Sequence, residues 1–386
     1  MDWIVYFWLA AGLALLIIGA ETMVRGASSL AAWIGISPLV VGLTIVAYGT
    51  SAPELAVSLQ AAAAGNGQIV LGNVIGSNIV NVLLILGASA LIVPLVVERR
   101  LVRLEAPLLI GVSALTWFFA ADGQVGRIEG LLLLTGAVLY TGFIVVQSRQ
   151  ETAAGLASGV SDRDRENNTD HENQSAGEND RDRESKNESA GESDSAPMRG
   201  GIALQILLIL IGLGLLALGA RWLVEGATAI ARALGLSDLL IGLTVIAIGT
   251  SLPELATSIV AALRGERDLA VGNIIGSNLF NMLFVLGTSA LLLPVPVSFH
   301  AIAIDLPIMF AAALACLPIF FTNYRIDRWE GALFLVFYAM YVAYLIASAR
   351  SAGDWISLQT SILFFVAPIT ALVLIVSSIH SWGKKL

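Results

Sequence analysis

Apolar stretches of membrane-spanning length recur along this 386-residue chain, and they leave few folds open to it. Crossing a hydrocarbon layer about 30 Å thick takes about 20 helical residues. Runs of that kind lie near 3–25, 38–63, 69–93, 105–121, 127–147, 201–223, 238–263, 269–293, 301–321, 328–348 and 358–379. In lipid only helices and closed barrels satisfy every backbone N–H and C=O, and runs this long and continuous point to helices. The expectation is an all-α polytopic membrane protein with about eleven transmembrane helices. Hydrophobic residues at 57%, charged residues at 13% and a mean hydropathy of +0.82 agree, since soluble domains carry roughly 25% charged residues.

One region departs from this pattern. Between Glu151 and Arg199 there are 13 acidic and six basic residues and almost no large apolar side chain, so the segment cannot bury enough surface to offset its ordering entropy. A disordered acidic loop is expected over 149–200, and it accounts for seven of the eight net negative charges. With that balance the bilayer is the expected partner; nucleic acid is not, and no obligatory protein partner is evident. Cys316 is the single cysteine and sits in an apolar run, which reads as a small buried side chain. The first apolar run continues into polar residues and reads as a membrane span, not a cleavable leader.

Arginine and lysine set the orientation. One alternating set of short loops and termini holds Arg25, Arg99, Arg100, Arg103, Arg264, Arg267, Arg325, Arg328, Lys384 and Lys385, and the other holds Arg127, Arg232 and Arg350. The positive-inside rule then places the amino terminus outside, and the carboxyl terminus and acidic loop in the cytoplasm, of a cell membrane.

The two halves repeat each other. Residues 39–88 match 239–288 without a gap at 26 of 50 positions, at a constant offset of 200. Gly19 and Gly26 pair with Gly219 and Gly226, and Glu105 and Pro107 with Asp305 and Pro307. At offset 201, Arg127, Glu129 and Gly130 pair with Arg328, Glu330 and Gly331. Each copy holds five spans, and because five is odd the second enters the membrane from the opposite side. A direct repeat in sequence thus becomes an inverted repeat in space, the arrangement secondary transporters use for alternating access. The expected domains are 1–148 and 201–348 as the two five-helix repeats, joined by the loop, with 349–386 as an extra carboxyl-terminal helix and tail.

The best-matched stretches carry the chemistry. Gly49-Thr50-Ser51-Ala52-Pro53-Glu54 and Gly249-Thr250-Ser251-Leu252-Pro253-Glu254 each place a carboxylate at mid-membrane, where it costs several kcal/mol unless it is paired or faces water. No basic residue lies in these spans, so a bound cation is the natural partner. Pro53 and Pro253 lack an N–H and bend the helix, freeing carbonyl oxygens around Gly49 and Gly249. Thr50 and Glu54 share a helical face with Ala47, with Ser51 beside it. Hydroxyl, carbonyl and carboxylate oxygens at one depth suit Ca2+, which takes about six to eight oxygens, and the similarly hard Na+. The following span of each copy adds Asn73, Ser77, Asn78 and Asn81, repeated as Asn273, Ser277, Asn278 and Asn281. Hydrogen bonding between packed helices competes with ion binding as the reading of these residues. A protonated structural carboxyl competes at Glu54 and Glu254.

The paired Gly-Thr-Ser-X-Pro-Glu and Gly-Asn-X-Ile-Gly-Ser-Asn motifs resemble the two alpha-repeats of the calcium/cation antiporter superfamily, in particular prokaryotic sodium/calcium exchangers, over about residues 1–348. That resemblance implies Ca2+ binding by Glu54, Glu254 and the carbonyls of Thr50 and Thr250. It implies Na+ sites completed by Ala47, Ser51, Ser77, Ala247, Ser251 and Ser277, with Asn81 and Asn281 lining the centre. Members often carry Asp at one central position where this chain has Asn at both. The family also suggests that the first helix of each repeat slides; here those helices bear Glu21 with Arg25 and Arg221 with Glu225, which read as i, i+4 ion pairs.

Two glutamates give an empty site a charge of about −2, which is costly to carry through a dehydrated state. Ca2+, two Na+ or two protons neutralise it, so only a loaded site crosses. The expected function is Ca2+/Na+ antiport, with Ca2+/H+ antiport as the nearest alternative. A channel is disfavoured by the absence of a ring of identical segments, and an enzyme by the absence of a nucleophile or metal triad beside the glutamates. No cofactor is expected beyond the transported ions.

Overall fold

The computed structural model describes residues 3–148, 150, 201–234, 245, 247–321 and 324–350. The acidic segment, the eleventh expected span and the first part of the seventh lie outside these residues. Within them the first repeat comprises α1 (Trp3–Ile34), α2 (Pro38–Thr50), α3 (Ala52–Ala63), α4 (Gly67–Ile92), α5 (Leu101–Ala120) and α6 (Arg127–Ser148). The second comprises α7 (Ile202–Ala233), α8 (Ala247–Thr250), α9 (Leu252–Leu263), α10 (Arg267–Leu292), α11 (Ala301–Phe321) and α12 (Arg328–Arg350). Eight of these are long and apolar enough to cross a membrane, and α2 with α3 forms a ninth span bent by 45°.

Two short strand pairs reveal the symmetry. β1 (Leu95–Val96) pairs antiparallel with β4 (Arg325–Ile326), and β2 (Gln124–Val125) with β3 (Val295–Pro296). The repeat offset relates β1 to β3 and β2 to β4, so exchanging the two copies maps one pair onto the other. The pairs cap opposite ends of the bundle, which makes the repeats mutually inverted.

Glycine decides which helices touch. An added Cβ at Gly19 of α1 would sit 2.9 Å from the Gly212 carbonyl oxygen, and one at Gly219 of α7 would sit 2.8 Å from that of Gly12. The two helices therefore lie backbone against backbone, as small residues permit in membranes. Similarly, a Cβ at Gly272 or Gly276 of α10 would approach the Leu39 or Leu43 carbonyl oxygen of α2 to 2.7 or 2.6 Å. Lipid-facing residues such as Leu13, Ile17, Leu131 and Leu210 stay exposed, while α10 is almost wholly enclosed.

The first helix of each repeat is longer than its apolar run suggests. Both α1 and α7 extend over 32 residues, about 48 Å at 1.5 Å per residue. Charged pairs at Glu21–Arg25 and Arg221–Glu225 lower local hydropathy without ending the helix, because the i, i+4 contacts, at 2.7 and 2.8 Å, are themselves helical. Glu21 also binds Arg264, just beyond α9, through two guanidinium nitrogens. This inter-helix pairing departs from the purely intrahelical expectation.

Candidate ion-binding site

The centre is built where α2 gives way to α3 and α8 to α9. Ser51 (φ −84°, ψ 9°) and Ser251 (φ −90°, ψ 9°) leave helical geometry, and Pro53 and Pro253 follow in the first turns of the new helices. The Ser51 amide donates to the Ala47 carbonyl at 3.0 Å and the Ser251 amide to that of Ile248 at 3.1 Å. Pro53 and Pro253 have no amide to offer the Gly49 and Gly249 carbonyls. Each break thus presents backbone oxygen and a carboxylate together.

The two breaks interlock. Ser51 Oγ donates to Glu254 Oε1 at 2.7 Å, and Ser251 Oγ donates to Glu54 Oε1 at 3.1 Å. All four side chains are buried. The Thr50 hydroxyl donates to Asn273 Oδ1 at 3.1 Å. Ala47 contributes its carbonyl, which the Ser277 hydroxyl approaches at 3.5 Å. Ala247 opens α8, and its side chain lies outside the described residues.

Outer contacts hold the breaks in place. Asn73 Nδ2 donates to the Glu54 carbonyl at 3.0 Å and to Ser58 Oγ at 2.9 Å; Asn273 Nδ2 donates to Ser258 Oγ at 2.9 Å. Asn73 and Asn273 therefore brace the glutamate-bearing helices, which is the packing role weighed for them. Ser58 and Ser258 were not singled out in the sequence, although both lie in the aligned stretch at offset 200. Asn78 Nδ2 closes on the Val74 carbonyl at 2.7 Å.

Other oxygens are left over. Glu54 Oε2, Glu254 Oε2, Ser77 Oγ and the side-chain oxygens and nitrogens of Asn81 and Asn281 are buried without a hydrogen-bond partner among the described residues. Asn81 and Asn281 lie in wide π-helical turns over Val80–Leu86 and Asn281–Val285, a distortion common at functional sites. The turn bearing Asn281 packs on α3, which carries Glu54, and the turn bearing Asn81 packs on α9, which carries Glu254. A buried polar atom without a partner costs about 1–3 kcal/mol, and a pair of half-satisfied carboxylates costs more. Hard oxygens gathered in this state fit a dehydrated Na+ or Ca2+ as the missing partner.

Two cavities reach this centre. One, about 510 Å3, runs from Ser298, Asp305 and Tyr341 to Gly76, Asn73 and Thr250. Another, about 720 Å3, lies between α7 and the two breaks and is lined by Gly49, Thr50, Leu213, Arg221, Glu225 and Thr250. Thr250 borders both.

The sequence profile of the sodium/calcium exchanger protein family matches residues 4–147 and 204–347, the two halves that build this site. The chain belongs to that family. Among family relatives, the sodium/calcium exchanger MaX1 of Methanosarcina acetivorans is 33% identical over 361 residues, 87% of this chain and 97% of that protein. The inner membrane protein YrbG of Escherichia coli K12 is 38% identical over 286 residues, 74% of this chain and 79% of its own length. Among solved structures, the sodium-calcium exchanger NCX_Mj soaked with 10 mM Na+ and 10 mM Sr2+ aligns with a TM-score of 0.69 at 28% identity. That alignment covers 89% of this chain and 99% of NCX_Mj. The membership accounts for the transporter architecture: a multi-pass, all-α exchanger fold of two inverted repeats.

Proposed function

We propose that this exchanger moves Ca2+ in one direction against Na+ in the other by alternating access at the Glu54–Glu254 centre. The reading rests on the crossed Ser51–Glu254 and Ser251–Glu54 bonds, which bring one carboxylate from each repeat to a common point with one oxygen apiece unpartnered among the described residues. Ca2+ would take Glu54, Glu254 and the Thr50 and Thr250 carbonyls. Na+ would use the same glutamates with Ser51, Ser251, Ser77, Ser277 and the Ala47 and Ala247 carbonyls, while Asn81 and Asn281 line the centre. Sharing the carboxylates makes the two ions mutually exclusive, and the cost of moving a bare −2 charge through a closed state forbids an unloaded crossing. Those two effects together constitute antiport.

The protein would work in the cell membrane with its amino terminus outside and the acidic 149–200 segment in the cytoplasm, bridging two repeats that form the site without it. Proteoliposomes loaded with Na+ and diluted into Na+-free buffer with labelled Ca2+, pH clamped by ionophore, test the assignment. Ca2+ accumulation that internal Li+ or K+ does not support is expected. Uptake that follows a pH gradient without Na+ would replace Na+ by protons as counter-ion, and Ca2+ flow without any counter-ion gradient would indicate a channel.

A further inference from the structure

The 510 Å3 cavity begins at a cluster that the glutamate centre does not use. Asp305 is the one charged side chain among the described residues that line it. Asp305 Oδ2 lies 3.2 Å from His300 Nδ1, and the Tyr341 hydroxyl donates to Asp305 Oδ1 at 3.3 Å. His300 Nε2 lies 2.8 Å from the Tyr344 hydroxyl, with the two rings stacked at 15°.

The first repeat holds the matching cluster. Arg100 Nε is 3.5 Å from Glu105 Oε1, and the Tyr140 hydroxyl donates to Glu105 Oε2 at 3.1 Å. Arg100 and Glu105 pair with His300 and Asp305 at offset 200, and Tyr140 with Tyr341 at offset 201. The acid and the phenol are kept; the cation differs. An arginine stays charged at every physiological pH, whereas a histidine titrates. The settings differ too, because Glu105 is fully buried while the Asp305 side chain is 19% exposed and faces the cavity. Among the described residues, the other titratable groups around His300 and Asp305 are Tyr338, Tyr341 and Tyr344 of α12, and tyrosines remain neutral at these pH values.

We propose that Asp305 recruits cations at the mouth of the passage to the Glu54–Glu254 centre, and that protonation of His300 switches this recruitment off. With His300 neutral, the Asp305 charge faces the cavity uncompensated and raises the local concentration of cations, an effect that low-dielectric walls strengthen. With His300 protonated, the ion pair closes and the mouth becomes neutral. The Asp305 carboxylate holds the His300 imidazole above its ordinary pKa, against the opposing pull of burial, so protonation sets in at a higher pH than for a free imidazole. Arg100 silences Glu105 permanently, which confines this control to one face of the membrane. The inference rests on the transport reading above.

The test is Ca2+ uptake by the full-length protein in Na+-loaded proteoliposomes, with equal pH on both sides to remove any proton gradient. Between about pH 8 and about pH 6, the apparent KM for Ca2+ should rise about three- to tenfold with little change in maximal rate. His300→Arg should give a high KM and His300→Gln a low one, both flat across that window. Asp305→Asn should match His300→Arg at the upper end of the window and lose the salt dependence of KM. Maximal rates near wild type would show that the variants fold. A His300→Gln protein that keeps the wild-type pH profile would overturn the proposal, placing the sensitivity at the glutamates. A wild-type protein that exchanges Ca2+ with a pH-independent KM would overturn it while leaving the transport reading intact. Absence of Na+-dependent uptake by the wild type would remove both.

Discussion

Ser51 of the first repeat donates to Glu254 of the second at 2.7 Å, and Ser251 returns the bond to Glu54 at 3.1 Å. Each carboxylate is therefore oriented by the other copy, and neither repeat can assemble a half-site alone. With the ion at the proposed centre, tying the acids across the pseudo-twofold axis would couple its occupancy to the relative position of the two repeats, which is the coordinate that alternating access must change.

Replacing Glu54 or Glu254 by Gln keeps size and hydrogen-bonding capacity but removes half the charge of the centre. Each change should lower labelled Ca2+ uptake by about a hundredfold or more, as expected for removing one partner from a buried charge cluster. Detergent-solubilised protein should still elute as a single monodisperse species. Near-normal uptake by either variant would show that the glutamates do not carry the ion.

Ser51→Ala and Ser251→Ala should behave alike, because the bonds they remove are related by the repeat symmetry. A hydrogen bond to a charged group is worth about 1.5–3 kcal/mol, so each variant should lose about tenfold or more in apparent Ca2+ affinity. Isothermal titration with Ca2+ measures this directly. A loss confined to one of the pair would contradict the symmetric role assigned here.

Gly19→Val and Gly219→Val test the backbone contact between α1 and α7. A Cβ at either position would fall within 2.9 Å of a carbonyl oxygen on the facing helix, and the clash cannot be relieved by rotating a side chain. Both variants should lose exchange and show a lower melting temperature, whereas Gly142→Val, where an added Cβ meets nothing within 4 Å, should retain both properties.

Asn281→Asp would add a third carboxylate to a buried position that has no partner among the described residues. Na+ dependence should steepen, and the voltage dependence of Ca2+ uptake should change with the altered charge carried per cycle. An unchanged voltage dependence would remove Asn281 from the centre.

Much of the fold was legible in the sequence because it is written in local patterns. Span-length apolar runs specify helices wherever lipid is the solvent. A gap-free match at offset 200, with an odd number of spans per copy, requires an inverted pair. The helix breaks were readable for the same reason, since the effect of Pro53 and Pro253 on the preceding turn depends on residues four positions away.

What the sequence could not disclose depends on distance across the bundle. Glu21 meets Arg264, and Ser51 meets Glu254, over separations of 243 and 203 residues; spacing along one helix contains no trace of such partners. Asn73 and Asn81 lie two turns apart on one span, yet Asn73 is consumed in bracing α3 while Asn81, in a π-helical turn, has no partner among the described residues. The matched acids Glu105 and Asp305 were visible as a repeat pair, but their surroundings were not: one is enclosed beside an arginine and the other opens onto a passage beside a histidine. The sequence by itself determined the helices, the duplication and the candidate ligands, because these follow from local chemistry and solvent. Which oxygens remain free for an ion, and which acid faces the cavity, were decided only when tertiary packing consumed the rest.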